Sequence, residues 1–147
     1  MADEGIIAAE EATDVVARLK GRMVEEALPL WSTVGWDPAA GGFIDRLHRD
    51  GTADTAAPRR VFVQARQIYC YAKAAQMGWY ADGREIALKG LEHLLARAKA
   101  PDGRPGYVRR LAPDGSVLDP LRDSYDHAFV LLALSTVYAL DRDAQVK

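Results

Sequence analysis

The chain has 147 residues, of which 49% are hydrophobic and 27% charged, and its formal net charge is −2. This composition is typical of a globular protein, and it excludes both a disordered chain and a polycation that binds nucleic acid. The acidic N-terminus lacks the apolar core of a secretory signal, and the longest uncharged run, residues 128–140, is too short for a membrane span. We therefore predict a cytoplasmic protein with no nucleic-acid or membrane partner.

The first predicted element is an amphipathic helix over about residues 6–30, because its apolar residues recur at helical spacing. The apolar stripe consists of Ile7, Val15, Leu19, Met23 and Ala27. Pro29 and the segment 35–38 are expected to end this helix. Its charged side is expected to face solvent.

A ten-residue pattern occupies residues 42–51 and returns at residues 106–115, an offset of 64 residues. Both copies read Gly, aromatic, β-branched, any residue, Arg, Leu, two further residues of any type, Asp, Gly. The Asp-Gly pair predicts a β-hairpin turn with glycine at positive φ. Recurrence at a fixed period indicates a repeat architecture, with copies of the whole repeat at about residues 6–78 and 83–140.

Two helices are predicted between the copies of the pattern. Residues 59–78 are apolar, small or amide around most of the helix, and beyond Arg60 the only charges are Arg66 and Lys73. These two lie about 20° apart on a helix, so they form one cationic stripe. Residues 83–99 have one apolar and one charged half, which predicts a second amphipathic helix.

The last predicted helix begins at Asp123, a good N-cap, with Asp126 three residues on in a variant of the capping box. From Ala128 to Leu140 no face of it is charged, so this helix is expected to be surrounded by protein.

Half-polar helices thus alternate with apolar ones, which favours two concentric layers with the apolar helices inside. This is an α/α barrel or a part of one, with the β-hairpins at one rim. Just over two repeats cannot close a ring. We therefore interpret residues 1–147 as the N-terminal portion of a single barrel domain in a longer protein. Exposed flanks of such a portion allow a homo-oligomer or aggregation.

Three side chains near the hairpin rim are candidates for binding. Arg66 could point its donors into the barrel mouth, although it could instead belong to a solvated stripe or pair with a carboxylate. Tyr125 and His127 lie in the first turn of the last helix, where their polar atoms suit sugar hydroxyls. Alternatively, both act as packing wedges. His93 is expected to be solvated, and His48 is only weakly indicative of a role.

Several aspartates allow glycoside hydrolysis as an alternative function. Asp45, Asp50, Asp119 and Asp126 could supply the carboxylate pair of a glycoside hydrolase. Turn formation by Asp50 and Asp114, and capping by Asp123 and Asp126, explain most of these residues without catalysis. No histidine pair has metal-ligand spacing, and no phosphate-binding loop is present, so we predict neither a metal nor another cofactor.

Three segments together resemble the N-acylglucosamine 2-epimerase family, which includes sugar 2-epimerases and mannose-type aldose–ketose isomerases. They are Gly-Gly-Phe at 41–43 with Asp-Gly at 50–51, Val-Gln-Ala-Arg-Gln-Ile-Tyr at 63–69, and Tyr-Asp-His-Ala-Phe at 125–129. The resemblance runs from about Trp31 to Tyr138. It implies an all-α fold, here an incomplete (α/α)6 barrel, since six repeats of this period need about 380 residues.

The resemblance also implies a function, in which a C2 proton of an open-chain sugar moves through an enediolate. Arg66 would be the catalytic group that holds the sugar oxygen and stabilises negative charge, Tyr125 would line the pocket, and Phe62 stands at a pocket-side position. The acid and base histidines of the family lie in later repeats and are not matched by those of this chain. Residues 1–147 alone are therefore expected to be inactive.

The alternatives are a non-catalytic helical-repeat module that binds a sugar or a protein at its hairpin rim, and an α/α-barrel glycoside hydrolase.

Overall fold

The computed structural model describes the backbone of residues 2–140 and the side chains of residues 12–140. Its elements, in chain order, are α1 (Ala2–Arg22), a π-helical turn (Met23–Ala27), α2 (Leu28–Thr33), β1 (Arg59–Arg60), α3 (Val61–Gln76), α4 (Gly83–Arg97), β2 (Arg110–Leu111), β3 (Val117–Asp119) and α5 (Ser124–Leu140). Each predicted helix is present in this part of the chain. None of these described helices has the length and hydropathy needed to cross a membrane.

The first helical stretch continues past the predicted stop at Pro29. The π-helical turn joins α1 to α2, and Pro29 occupies the first turn of α2. Proline is tolerated there because the amides of a first helical turn are the least dependent on intrahelical partners. The stretch ends instead at Thr33, before Gly35. The predicted end is therefore wrong for Pro29 and confirmed for the segment 35–38.

Of the predicted apolar stripe, Ile7 lies outside the residues whose side chains are described, whereas Val15, Leu19 and Met23 are open to solvent. Val15 is 43% exposed, Leu19 59% and Met23 38%. The contacts of α1 within the described chain are mainly with the π-helical turn that continues it, so this side is left largely uncovered by the other described elements.

Helix α3 is the centre of the molecule, because α4 and α5 both pack extensively against it while they contact each other little. Its buried face includes Ala65, Ile68 and Tyr71. Helix α4 approaches closely at Gly90, where a Cβ atom would lie 2.8 Å from Phe43 and 2.9 Å from Ile68. This arrangement puts α3 and α5 in one layer and α4 in the other, as the predicted two-layer architecture requires.

The predicted hairpin turns are confirmed, and their geometry repeats. The His48 N–H donates to the Thr52 carbonyl at 2.8 Å, and the Ala112 N–H donates to the Ser116 carbonyl at 2.8 Å. The carboxylates of Asp50 and Asp114 accept from both the amide and the hydroxyl of those same residues, Thr52 and Ser116. Gly51 and Gly115 have φ values of 86° and 82°, which glycine adopts readily.

The described strands form a small antiparallel sheet in the order β1-β2-β3. Arg59 pairs with Leu111 and Arg60 with Arg110, and Arg110 also pairs with Asp119. Because β1 leads directly into α3, the second hairpin is fixed to the N-terminal end of that helix. The sheet therefore lies at the rim, where the sequence predicted the hairpins.

Helix α5 departs from its prediction, because only one of its faces is buried. Val130, Ala133 and Val137 pack into the core. On the opposite side Leu131 is 65% exposed and Tyr138 52%. The expectation that α5 is surrounded by protein is therefore not met within the described chain, where α3 packs against one side and the other side is an exposed flank of the kind expected of an incomplete barrel. An open apolar face of this kind is typical of an interface.

Candidate functional site

Three aromatic rings meet at the rim where α3 and α5 begin. Phe62 is the second residue of α3, Tyr125 is the second residue of α5, and their ring centroids lie 5.3 Å apart in an edge-to-face arrangement. Phe129, one turn further along α5, lies 4.9 Å from Tyr125 and 6.3 Å from Phe62. We call Phe62, Tyr125 and Phe129 the rim aromatic cluster. Tyr125 is 53% exposed, so its ring and hydroxyl are accessible to a ligand.

Two arginines cover faces of this cluster. The Arg66 guanidinium lies 5.1 Å from the centroid of Phe129, and that of Arg60 lies 5.1 Å from the centroid of Phe62. Both distances are within the range of cation–π attraction. Arg66 is exposed, so its N–H donors remain available, and the alternative in which it pairs with a carboxylate has no counterpart among the described contacts.

Arg66 also borders a cavity of ≈360 Å³ between α3 and the stretch that consists of the π-helical turn and α2. Polar side chains at this cavity are Asp45, Arg66 and Gln67, and Trp31 is among the apolar ones. Arg66 therefore borders both the rim aromatic cluster and this cavity.

Asp126 fixes the two helix starts relative to each other. Its side chain is 2% exposed, and its carboxylate accepts a 3.1 Å hydrogen bond from the Phe62 amide in the first turn of α3. Burial raises the pKa of Asp126, against the opposing effect of the Phe62 hydrogen bond. Asp123 caps α5 itself, because the Tyr125 amide donates to it at 2.8 Å. The prediction that Asp126 caps its own helix is wrong, and it caps the neighbouring helix instead.

His127 lies at the same rim with both ring nitrogens engaged by backbone groups. The Tyr107 amide donates to Nε2 at 3.0 Å, so the proton is on Nδ1, which lies 2.7 Å from the Asp123 carbonyl. In the first repeat Gln64 acts similarly, although it lies one residue out of the 64-residue offset from His127: its side-chain amide bonds both the N–H and the carbonyl of Phe43, at 2.8 Å and 2.7 Å. Each rim segment is therefore latched by a side chain of the helix that follows it.

His93 is not solvated, in contrast to its prediction. It is half-buried against Gly41 and Gly42, where a Cβ on Gly42 would lie 2.6 Å from the imidazole. Its buried Nε2 has no hydrogen-bond partner among the described residues. Burial lowers the pKa of His93, and the charges of Arg59 and Arg97 lower it further. His48, in contrast, lies exposed beside the first turn.

Arg59 is a structural residue that the sequence reasoning missed. Its side chain is 1% exposed and bonds the Asp37 carboxylate and the Gly41 carbonyl. Burial acts to raise the pKa of Asp37, but hydrogen bonds from the Ala39 and Ala40 amides and from Arg59 hold it below its ordinary value. Arg59 and Arg60 are adjacent in sequence, and only the strand that they form puts one inward and the other outward.

The four candidate carboxylates of a glycosidase are each engaged in a structural contact. Asp45 accepts from the Arg60 amide at 2.9 Å, Asp50 forms its turn, Asp119 accepts from the Leu121 amide at 3.1 Å, and Asp126 caps α3. Within residues 12–140 no cluster of three or more His, Cys, Asp or Glu side chains is arranged to hold a metal ion.

The described structure thus brings Phe62, Arg66 and Tyr125 together as one group, whereas the His127 ring lies against Tyr107 of the second rim segment. Phe129 joins that group although the sequence reasoning assigned it no role. The signal was available, because Phe129 lies four residues after Tyr125 and therefore on the same side of a helix.

Comparisons with known proteins bear on this site. The family described as N-acylglucosamine 2-epimerase (GlcNAc 2-epimerase) matches residues 42–146. The chain is 38% identical over 117 residues to a mannose-6-phosphate isomerase of Rhizobium meliloti (strain 1021), which covers 80% of this chain and 30% of that protein. The chain therefore spans about a third of the length of this relative.

Solved structures with a similar fold are also sugar epimerases and isomerases. A cellobiose 2-epimerase from Spirochaeta thermophila DSM 6192 superimposes with a TM-score of 0.82 at 22% identity, covering 91% of this chain and 33% of that one. A sugar epimerase from a ruminal bacterium gives 0.81 at 20% identity, covering 90% and 33%. A D-mannose isomerase gives 0.72 at 27% identity, covering 84% and 31%.

These epimerases are (α/α)6 barrels, so the described helices form part of such a barrel. The family match covers more than two thirds of the chain and includes both rim segments and the rim aromatic cluster. The chain belongs to the N-acylglucosamine 2-epimerase family.

Proposed function

We propose that the protein containing this chain is a sugar 2-epimerase or aldose–ketose isomerase, to which residues 1–147 contribute part of the pocket. The observation that carries the proposal is the exposed Arg66 guanidinium beside Phe62, Tyr125 and Phe129, at the rim where two inner helices begin. Family membership and the 38% identity to an isomerase support it.

The proposed roles follow from the chemistry of each side chain. Removal of the C2 proton from an open-chain sugar leaves an enediolate, whose oxygens carry negative charge. Arg66 presents fixed N–H donors to that charge, and such donors stabilise the transition state more than the neutral substrate. The Tyr125 hydroxyl can donate to one sugar hydroxyl and accept from another, and Phe62 offers an apolar surface.

His127 remains a predicted substrate-binding residue. Because both its nitrogens are engaged with the backbone, the remaining contact that it can offer a sugar is its ring surface. It also lacks a free nitrogen to transfer a proton, and His93 is packed against glycine. The resemblance assigns acid and base to histidines of later repeats, so we expect residues 1–147 alone to be inactive.

The reaction that we propose is redox-neutral. One base removes the proton from C2, and the proton returns either to the opposite face of C2, which gives the epimer, or to C1, which gives the ketose. No metal or redox cofactor is required by this balance, and none is part of the proposal.

The substrate that we propose is an unphosphorylated or N-acylated hexose or a disaccharide with such a reducing end. Relatives and similar structures are named for mannose 6-phosphate, D-mannose and cellobiose. A panel of mannose, mannose 6-phosphate, N-acetylglucosamine and cellobiose, assayed for epimer and for ketose, distinguishes these classes in the full-length protein.

The test of the function is Arg66→Ala in the full-length protein. We expect turnover to fall about 10²–10³-fold or more, because the charge on the enediolate loses its main donor. Met77→Ala is the control, since Met77 is 52% exposed at the opposite end of α3. Full activity of the Arg66→Ala protein would contradict the proposed function.

The domain organisation is proposed in the same sense: residues 1–147 form the N-terminal portion of one barrel domain, with repeats at about 6–78 and 83–140. A cytoplasmic location is a prediction that cell fractionation can check. Self-association of residues 1–147 through the exposed flanks of their apolar helices is a prediction that size-exclusion chromatography can check.

A further inference from the structure

We propose that Phe129 is a positioning residue that holds the Arg66 guanidinium in place for the sugar. The inference rests on the proposed function, because it assumes that Arg66 is the group that contacts the developing negative charge. It adds a role for a residue to which the family resemblance gave none in this chain.

The contact between the two residues joins two separate helices. Arg66 is in the second turn of α3, Phe129 is in the second turn of α5, and the guanidinium carbon lies 5.1 Å from the ring centroid. Arg66 is exposed, and a free arginine side chain samples many rotamers. Attraction to the negative face of a ring reduces that freedom without occupying the N–H donors along the guanidinium edge.

The ring of Phe129 is itself fixed by its neighbours. Tyr125 packs against it at 4.9 Å with planes inclined by 67°, Phe62 lies 6.3 Å away, and Phe129 is half-buried. The orientation of the two helices is set by the hydrogen bond from the Phe62 amide to Asp126. The packed rim thus fixes the ring against which the exposed Arg66 guanidinium lies.

The expected kinetic consequence is a loss in kcat rather than a rise in KM. Arg66 interacts more strongly with the enediolate than with the neutral sugar, so a poorly placed guanidinium affects the transition state most. A cation–π contact at an exposed site corresponds to a change of about two- to five-fold.

The first experiment compares Phe129→Leu with Phe129→Tyr in the full-length protein. Leucine keeps an apolar side chain but has no ring face, whereas tyrosine keeps the ring. We expect kcat to fall about two- to five-fold in Phe129→Leu with KM nearly unchanged, and to recover in Phe129→Tyr. An unchanged kcat in the leucine variant, or an equal loss in both variants, would overturn the inference.

The second experiment does not depend on activity. In ¹⁵N-arginine-labelled protein, the Arg66 side-chain Nε–H proton above a ring resonates upfield, so its NMR signal reports the contact. Phe129→Leu should shift that signal downfield and Phe129→Tyr should not. Tyr138→Leu is the matched control, because Tyr138 lies nine residues after Phe129 and therefore about 180° away around the helix. An Arg66 Nε–H chemical shift that is the same in Phe129→Leu and in the wild type would contradict the inference.

The two results separate the inference from the function. Full activity in Arg66→Ala with an NMR shift in Phe129→Leu refutes the proposed function and leaves only the contact. Loss of activity in Arg66→Ala with no effect of Phe129→Leu on kcat or on the signal refutes the role of Phe129 and leaves the function standing.

Discussion

The two rim segments, residues 42–51 and 106–115, have the same turn but are held by different chemistry. The first is latched by the buried amide of Gln64, and the loop before it is anchored by the buried Arg59–Asp37 ion pair. The second is latched by the imidazole of His127, and the corresponding loop is held by Arg122 and Asp102, whose side chains are 32% and 46% exposed. The two rim segments therefore have the same turn, but the side chains that hold them differ in burial.

This difference has a physical basis in burial. A buried ion pair and a buried amide leave unpaired polar groups when one partner is removed, whereas exposed groups turn to water. We expect the first segment to be the more sensitive to substitution, and the second to be the more adaptable.

The largest expected effect is that of Arg59→Met, which keeps much of the apolar stem but removes the charge from Asp37. Breaking such a buried pair should lower the free energy of unfolding by about 3–5 kcal/mol. Arg122→Met is the matched control in the second loop and should cost much less. Urea titration measures both changes, and equal losses would show that burial does not distinguish the two loops.

A smaller effect is expected for the latches themselves. Gln64→Ala leaves the amide and carbonyl of Phe43 without their partner in the core and should cost about 2–4 kcal/mol. His127→Ala frees the Tyr107 amide in a half-buried place and should cost about 1–2 kcal/mol. Thermal unfolding of the two variants compares them directly, and a larger loss in His127→Ala would reverse the order that we expect.

The smallest expected effect is a pH dependence of the free energy of unfolding, which arises from His93 packed against the first rim segment. The folded-state pKa of His93 is lowered from 6.5 by burial, so unfolding takes up a proton in acid. Stability from this group is complete above about pH 6.5 and declines as the pH falls from there towards the folded-state pKa. His93→Gln should remove this part of the pH dependence.

The measurement is the free energy of unfolding at pH 7.5 and at pH 5.5 for the wild type and for His93→Gln. His48→Gln is the control, since His48 is exposed. An identical difference between the two pH values in all three proteins would exclude the role of His93.

Much of the fold follows from local patterns. The 64-residue repeat, the helical periodicities and the Asp-Gly turns are properties of short segments, and the structure contains the helices and turns that they predicted. Arg66, Phe62 and Tyr125 could also be selected as candidates, because their segments resemble those of a known family. A local pattern does not show which distant residue a side chain contacts.

The exceptions are contacts between segments far apart in the chain. Whether Asp126 caps its own helix or α3 depends on the distance between two helix starts, and the burial of Arg59 but not Arg60 depends on which side of β1 faces the core. The contact of Arg66 with Phe129 likewise depends on how two separate helices pack. The sequence by itself determined the repeats, the helices and the turns, because those depend on neighbours within a few residues. The tertiary structure alone decided which polar groups are buried and paired, because that depends on packing between helices.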